Sequence, residues 1–295
     1  MTTVLITGPT RSLGRVTAEA LARHPEVEDL LLVGRRGPAL DEVAERVRRP
    51  GVRAHPIGCD LADLSDVRSA AATVRGLVEA GTVRPLLALI ANAGIASSDG
   101  MRASADGHEL TFAVNHLAHA QLVGDLEPVL APTARIVLLG SNTYYANIWR
   151  RLMHVPPANW RDPLELAEPG TGSSGMTAYS DSKLAILYYA HELQRRIAPG
   201  VSVVVYEPGW MPGTALGRGA PPAVQAVGRA LGHIPGVATP ERSGPLLAAV
   251  AVDARWAHLR DGAFVVRDRV VEVQPLAQDR DRERRLWEAT AELLA

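Results

Sequence analysis

What most constrains this chain is an alternation running through its first 140 residues. Short, unbroken apolar runs lead into glycine, asparagine or aspartate: TVLITG (3–8), DLLLVGR (29–35), VRAHPIGCD (52–60), LLALIANAG (86–94) and ARIVLLGS (134–141). Between them, residues 12–24, 38–49, 63–80 and 107–130 carry apolar residues at helical spacing. Strands that are apolar throughout, rather than alternately, must be covered on both faces. Strand–helix–strand repetition with right-handed crossovers then predicts an α/β chain, a doubly wound parallel sheet with helices on both faces. The pattern resumes as a helix over 177–197, a strand in VSVVVYEPG (201–209), a helix over 241–253 and a short strand in GAFVVR (262–267).

Two stretches interrupt the alternation, an aromatic-bearing insert at 142–176 and a Gly/Pro-rich loop at 209–240. Each follows the carboxyl end of a strand, where open α/β sheets bind ligands. Composition does not shift between them, so residues 1–295 read as a single domain with an insert and a substrate loop.

A formal net charge of −1 offers no basic surplus for nucleic acid or an anionic membrane. The one cysteine, Cys59, excludes an internal disulfide and a cysteine-built metal site, and suits a reducing compartment. The start, MTTVLITGPT, has no basic flank or apolar core of a signal peptide. No apolar run reaches the roughly 20 residues of a membrane helix. The expectation is a cytoplasmic protein acting on a small molecule, with no nucleic acid, membrane or metal partner and with homo-oligomers left open. RDRERR (280–285) lies among acids ahead of an apolar helical pattern and reads as a solvated helix start.

VLITGPTRSLGRVTAEALA (4–22) reads as a strand, a glycine-bearing turn and a helix. Gly8 permits a tight turn and Gly14 lets the helix pack against the strand, so that phosphate oxygens can meet backbone N–H groups at the positive helix end. NAD-preferring sites place an acid about twenty residues after these glycines, to bind the ribose 2′-hydroxyl. Here the second strand ends instead in Arg35 and Arg36, with no acid before Asp41. Arginine forks suit a 2′-phosphate, and Arg11 in the turn supplies another cation, so NADP(H) is the expected cofactor. Asp60, closing the third strand, is placed to cap the next helix or to bind an adenine amino group, and Cys59 beside it reads as a buried apolar residue.

TGPTRSLG, CDL, ANAG, FAVNHLAHAQL, LLGS, YSDSK and EPGWMPGT occur in the order found in the short-chain dehydrogenase/reductase family, and nearly the whole chain resembles it. GHELTFAVNHLAHAQLV and AYSDSKLAILYYAHEL are most similar to the retinol-dehydrogenase and protochlorophyllide-reductase branch. The resemblance implies a single-domain Rossmann-type fold and a catalytic tetrad of Asn115, Ser141, Tyr179 and Lys183. It further implies cofactor contacts from Gly8, Thr10, Arg11, Ser12, Leu13 and Gly14 in the turn. Others would come from Arg35 and Arg36, from Asp60 and Leu61, from Asn92, Ala93 and Gly94, and from Tyr179 and Lys183 themselves. Pro208, Gly209, Trp210 and Thr214 complete the set. By the same resemblance Asn92 braces the nucleotide strand, Asn115 keeps a helix kink with a proton-relaying water, and Lys183 holds the nicotinamide ribose.

The chemistry accounts for these residue types. Carbonyl reduction needs a hydride from the nicotinamide and a proton at the developing alkoxide. A free tyrosine titrates near ~10, and a cation one helical turn away favours its phenolate. Ser141 would orient the substrate oxygen toward Tyr179. His116 and His119 read as structural or surface residues, because this chemistry needs no histidine. Three positions depart from the family pattern: Ser12 stands where a turn glycine is usual, Ala91 precedes the NAG, and Thr214 is displaced by one residue.

Tyr144, Tyr145, Trp149 and Trp160 crowd the insert in a chain with 5 Trp, 6 Tyr and 2 Phe, and Trp210 and Met211 open the later loop. They make either an apolar lid over a bulky substrate or packing and interface contacts. Three functions follow: an NADP(H)-dependent ketone/aldehyde reductase or alcohol dehydrogenase (a ketoreductase of secondary metabolism among them), reduction of an activated C=C bond, or a non-catalytic NADP(H)-sensing protein. The distance of Cys59 from the substrate half counts against the second, and the presence of Tyr179 and Lys183 against the third.

Overall fold

The computed structural model describes residues 2–97, 99–152, 155–171, 174–211 and 237–295. One sheet of eight strands runs in the order β3-β2-β1-β4-β5-β6-β7-β8. These are β1 Thr2–Thr7, β2 Val27–Gly34, β3 Arg53–Gly58, β4 Leu86–Ala91, β5 Leu130–Leu139, β6 Ser202–Glu207, β7 Ala263–Val266 and β8 Arg269–Val270. Every pairing is parallel except β7 with β8, a short hairpin absent from the periodicity, whose turn carries Arg267 at φ 57°. Pro56 lies in β3 and pairs with Leu32; β3 is an edge strand, so the missing N–H breaks no ladder.

Continuous apolar runs became central strands because both faces are covered. On one side α1 (Ser12–Ala22), α2 (Pro38–Val47) and a helix over Pro240–Val252 bury Leu13, Leu21, Val43 and Leu247 with Val4, Ile6, Leu30 and Leu32. On the other, α3 (Leu64–Glu79) and a second layer bury Val67, Leu117, Leu122 and Leu187 with Leu5, Leu31, Leu89 and Ile136. Adjacent residues of β1 thus serve opposite layers, as pleating requires. The first layer packs closely where α1 meets the 240–252 helix, since a Cβ on Gly244 would lie 2.7 Å from Val16 Cγ1.

The single helix expected over 107–130 is interrupted. It comprises α4 (Leu110–Phe112), a π-helical turn (Ala113–Leu117) and α5 (Ala118–Leu126). A widened turn of this kind frees a backbone carbonyl, and here the turn contains Asn115. The insert holds two short helices, α6 (Ile148–Leu152) and α7 (Pro163–Leu166), before the long α8 (Gly175–Arg196), and after it come α9 (the 240–252 helix) and α10 (Arg280–Leu293). β1 and β4 are neighbours, so the direction of winding reverses between them and a crevice opens at their carboxyl ends.

Part of the charged run 280–285 is not solvated. Glu283 is buried, accepts from His191 Nδ1 at 2.8 Å and is paired with Arg195, while Arg285 forks onto Asp162 at 2.7 and 2.8 Å. These contacts lie between elements far apart in sequence, which local charge patterning does not register.

Candidate active site

The crevice is assembled from the loops that leave β1, β4 and β5. After β1, Gly8 turns at φ 65° and donates its N–H to Val33 O at 2.8 Å. A Cβ on Gly14 would sit 2.1 Å from Gly8 O and 2.5 Å from Asn92 Nδ2, so only glycine lets the start of α1 close on the turn. Ser12 adopts φ 43°, a left-handed conformation that costs a non-glycine residue about 1 kcal/mol or more. The turn therefore keeps the backbone shape that a glycine would give it, at some strain.

After β4, Asn92 Nδ2 donates to Thr7 O at 2.9 Å and Gly8 O at 3.3 Å, and the Ala93 N–H donates to Thr7 Oγ1 at 2.9 Å. The brace expected of Asn92 is thus in place. Thr7 Oγ1 also meets His119 Nε2 at 3.0 Å, and His119 Nδ1 meets Asn115 O at 3.2 Å. A carbonyl only accepts, so Nδ1 carries the proton and Nε2 accepts from the threonine hydroxyl. Burial pushes His119 down to about 4, which keeps this neutral tautomer. His119 is a structural histidine, as expected, yet it ties the nucleotide turn to the Asn115 turn.

The Asn115 side chain is fully committed. Its Oδ1 accepts from Ile95 N at 2.8 Å, and its Nδ2 donates to Ile95 O at 2.9 Å and Ser182 Oγ at 3.0 Å. Ser182 Oγ in turn donates to Tyr179 O at 2.7 Å. Sequence reasoning missed Ser182; its position between Asp181 and Lys183 in YSDSK was the available signal.

Tyr179 and Lys183 share one face of α8, with Lys183 Nζ 5.3 Å from the phenol ring centre. Ser141, which follows β5, stands beside the Tyr179 phenol and partly offsets the rise that burial causes there, and it caps the next turn by accepting from Thr143 N at 3.3 Å. Lys183 Nζ donates to Leu139 O at 2.7 Å. A Cβ on Gly94 would come within 3.3 Å of Asn115 Oδ1 and 3.9 Å of Lys183 Nζ, so glycine keeps room there. The four side chains picked out in the sequence converge at one place.

A sequence model of the short chain dehydrogenases matches residues 2–147. A WW domain-containing oxidoreductase of Drosophila melanogaster is 32% identical over 221 residues, covering 73% of this chain and 50% of that one. A chloroplastic protochlorophyllide reductase of Daucus carota is 30% identical over 235 residues, covering 73% and 57%. The chain spans about half the length of the curated relatives it matches. A short chain dehydrogenase from Burkholderia cenocepacia J2315, solved in complex with NADP, superposes with a TM-score of 0.66 at 24% identity, covering 90% of this chain and 96% of that one. The chain belongs to the short-chain dehydrogenase family.

Several expectations need correction in this short-chain dehydrogenase. The lysine was expected to lower the tyrosine. Instead burial pushes Tyr179 above its usual range, only partly opposed by Ser141, and pushes Lys183 down to about 7. Desolvation of both groups outweighs a cation held 5.3 Å away and turned toward a carbonyl. Asp60 does not cap α3; Asp63 does, accepting from Ser65 N at 2.9 Å and Asp66 N at 3.2 Å. Cys59 is buried and pushed up to about 12 by that burial, an inert packing thiol.

The aromatic insert is mostly packing. Tyr144 is buried edge-on against Tyr145 and Phe264 and accepts from Gln274 N at 2.9 Å. Trp160 meets Tyr188 edge-on at 4.8 Å, and Arg150 lies over Tyr145 at 4.6 Å. Exposed apolar groups include Met176, one turn before Tyr179, Ile148 on α6, and Trp210 just after Pro208–Gly209, besides Met101, Val270, Val271 and Leu276. Thr214 and most of the 209–240 loop lie outside the described residues. Among the described residues no helix is long and apolar enough to cross a membrane.

The turn fits a dinucleotide. Its cradle of Gly8, Ser12 and Gly14 is closed to any larger residue at position 14, and exposed Arg11 and Arg35 stand at the carboxyl ends of β1 and β2. Arg36 is differently disposed: its guanidinium forks onto the Asp66 carboxylate at 2.9 Å on both arms.

Proposed function

We propose that this protein is an NADP(H)-dependent oxidoreductase that reduces a ketone or aldehyde, or oxidises the alcohol, of a bulky apolar small molecule. The observation that carries the proposal is Lys183 Nζ held 5.3 Å from the Tyr179 ring on the same helix face, with Ser141 beside the phenol. When bound, the dinucleotide supplies the hydride. The turn from Gly8 to Gly14, with Arg11 and Arg35, would hold it at its phosphates, and Asp60 and Leu61 at its adenine. Asn92, Ala93 and Gly94, Lys183, and Pro208 to Trp210 would hold the remainder.

Tyr179 is the proton donor. Burial keeps its phenol protonated through the neutral range, and Ser141 stands beside it. A carbonyl oxygen accepting from both hydroxyls receives the Tyr179 proton as its negative charge develops, and the phenolate left behind is stabilised by the Lys183 ammonium. Lys183, held near 7 by burial, gains or loses its proton without great cost at neutral pH. The preference for bulky, apolar substrates is supported by exposed Met176 and Trp210. We propose the cytoplasm as its compartment, because the single cysteine, Cys59, suits a reducing environment.

Reduction of an activated C=C bond is a second reading, favoured by the protochlorophyllide reductase relatives. It would lack a cysteine acid, because Cys59 is buried at the carboxyl end of β3 and inert.

The test is NADPH oxidation against a panel of bulky ketones and enones, with Tyr179→Phe as control. Carbonyl turnover lost by roughly 10²-fold or more in the variant, with its fold intact, is the expected result. Turnover retained by the phenylalanine variant would remove Tyr179 from the chemistry.

A further inference from the structure

Arg36 is one of two arginines that close β2, but its guanidinium is already occupied. Nη1 and Nη2 donate to Oδ2 and Oδ1 of Asp66, each at 2.9 Å, so one carboxylate takes both terminal nitrogens end-on. Asp66 is itself anchored. It lies in the first turn of α3, and its Oδ2 accepts from Asp60 N at 2.7 Å. Its side chain is 16% exposed, against 67% for Arg36. The arginine stem rests on glycine: a Cβ on Gly58 would lie 2.3 Å from Arg36 Cγ and 2.7 Å from Nε. Arg36 is therefore laid across the end of β3 with its fork turned to α3. Arg35 and Arg11 are exposed near the same crevice, and neither is held by a carboxylate among the described residues.

The geometry points to Asp66 as a specificity-determining residue. It withholds Arg36 from the 2′-phosphate of an NADP-type dinucleotide, leaves that phosphate to Arg35 and Arg11, and so weakens the preference for NADPH over NADH. This rests on the dinucleotide reading above. To draw Arg36 onto itself, a phosphate dianion must break two charge-assisted bonds and leave the Asp66 carboxylate facing it. A ribose 2′-hydroxyl meets no such penalty. Neutralising Asp66 therefore strengthens binding of the phosphorylated dinucleotide alone.

Asp66→Asn is the informative change, because its carbonyl oxygen can still accept from Asp60 N while the charge is lost. NADPH and NADH are titrated by their fluorescence into wild type, Asp66→Asn, Arg36→Ala and the double variant, with thermal melts confirming the fold. Asp66→Asn is expected to bind NADPH about fivefold tighter or more, with NADH changed less than about twofold. The NADPH gain is expected to vanish in the Arg36→Ala background. Unchanged or weaker NADPH binding in Asp66→Asn, or a gain that survives loss of Arg36, overturns the assignment. Wild-type protein that binds neither dinucleotide overturns the dinucleotide reading and this assignment with it. Wild-type protein that binds NADPH, without a gain in Asp66→Asn, overturns the assignment alone. Should the asparagine variant melt early, Asp66→Ser is read by the same titrations and the same criteria.

Discussion

Asn115 and Ser182 are joined by a 3.0 Å hydrogen bond, and Ser182 passes the connection on to the Tyr179 carbonyl at 2.7 Å. The π-helical turn and the helix that bears Tyr179 and Lys183 are thereby fixed to each other through a single hydroxyl. Ser182→Ala removes both bonds and leaves a buried amide N–H without one of its acceptors. The expected cost is about 1–2 kcal/mol in urea unfolding, and because the change displaces Tyr179, kcat falls more than KM rises. An alanine variant with wild-type kcat would mean that α8 is positioned by packing alone.

Ser12 sits at φ 43°, where an L side chain is strained. Glycine relieves that strain but adds freedom to the unfolded chain, so the two effects, each about 1 kcal/mol, nearly cancel. Valine, branched at Cβ, cannot adopt the conformation cheaply. Urea midpoints are expected to rank Ser12→Gly equal to or above wild type, with Ser12→Val lower by about 1–2 kcal/mol. A valine variant as stable as wild type would show that the turn relaxes to a different shape.

Gly14→Ala is expected to be far more damaging than an ordinary helix Gly→Ala change. Elsewhere in a helix the methyl stabilises by up to about 1 kcal/mol. Here it would meet Gly8 O at 2.1 Å and Asn92 Nδ2 at 2.5 Å. The nucleotide turn must open, with a loss of about 1–3 kcal/mol and weakened dinucleotide binding. Calorimetry with and without NADPH reads both effects.

Asp181 lies on α8 between Tyr179 and Lys183, buried, with Oδ1 accepting from Asn159 N at 2.6 Å. Burial raises its carboxyl to about 7, against the pull of the Asn159 N–H and Arg161 and with Glu109 adding to the rise. A raised folded value means that stability is full below the unfolded value of 3.8 and is lost as pH rises through about 7. Asp181→Asn keeps the acceptor and abolishes this loss. The variant is therefore expected to exceed wild type at pH ~8 by on the order of 2 kcal/mol and to match it near pH ~4. Parallel stability curves across that range would place the ionisation elsewhere.

The parallel sheet was legible because a strand covered on both faces must be apolar at every position, and β1, β4 and β6 are written that way. The site was legible for a related reason. Gly8 and Gly14 answer a backbone demand within one turn, and the YSDSK spacing puts Tyr179 and Lys183 on one helix face; Asn92 and Asn115, whose partners are Thr7, Ile95 and Ser182, were legible through the family resemblance. Less could be read where partners come from afar. Arg36 reads as free in the sequence, yet Asp66, thirty residues later, holds it. Glu283 looked solvated, yet its partners lie on α8. The aromatic insert left a lid and packing equally open, and the fold decides for Tyr144 and Trp160, which turn inward to Phe264 and Tyr188.

By itself, then, the sequence determined most of the strands and helices and their parallel winding, which follow from periodicity, and its resemblance to the short-chain dehydrogenase family named the residue types gathered at the crevice. Only the tertiary structure decided which charges are already paired and how the chemistry is tuned. Tyr179 is driven up and Lys183 down because both are desolvated. Desolvation depends on everything packed around a group, and no local stretch of sequence encodes that.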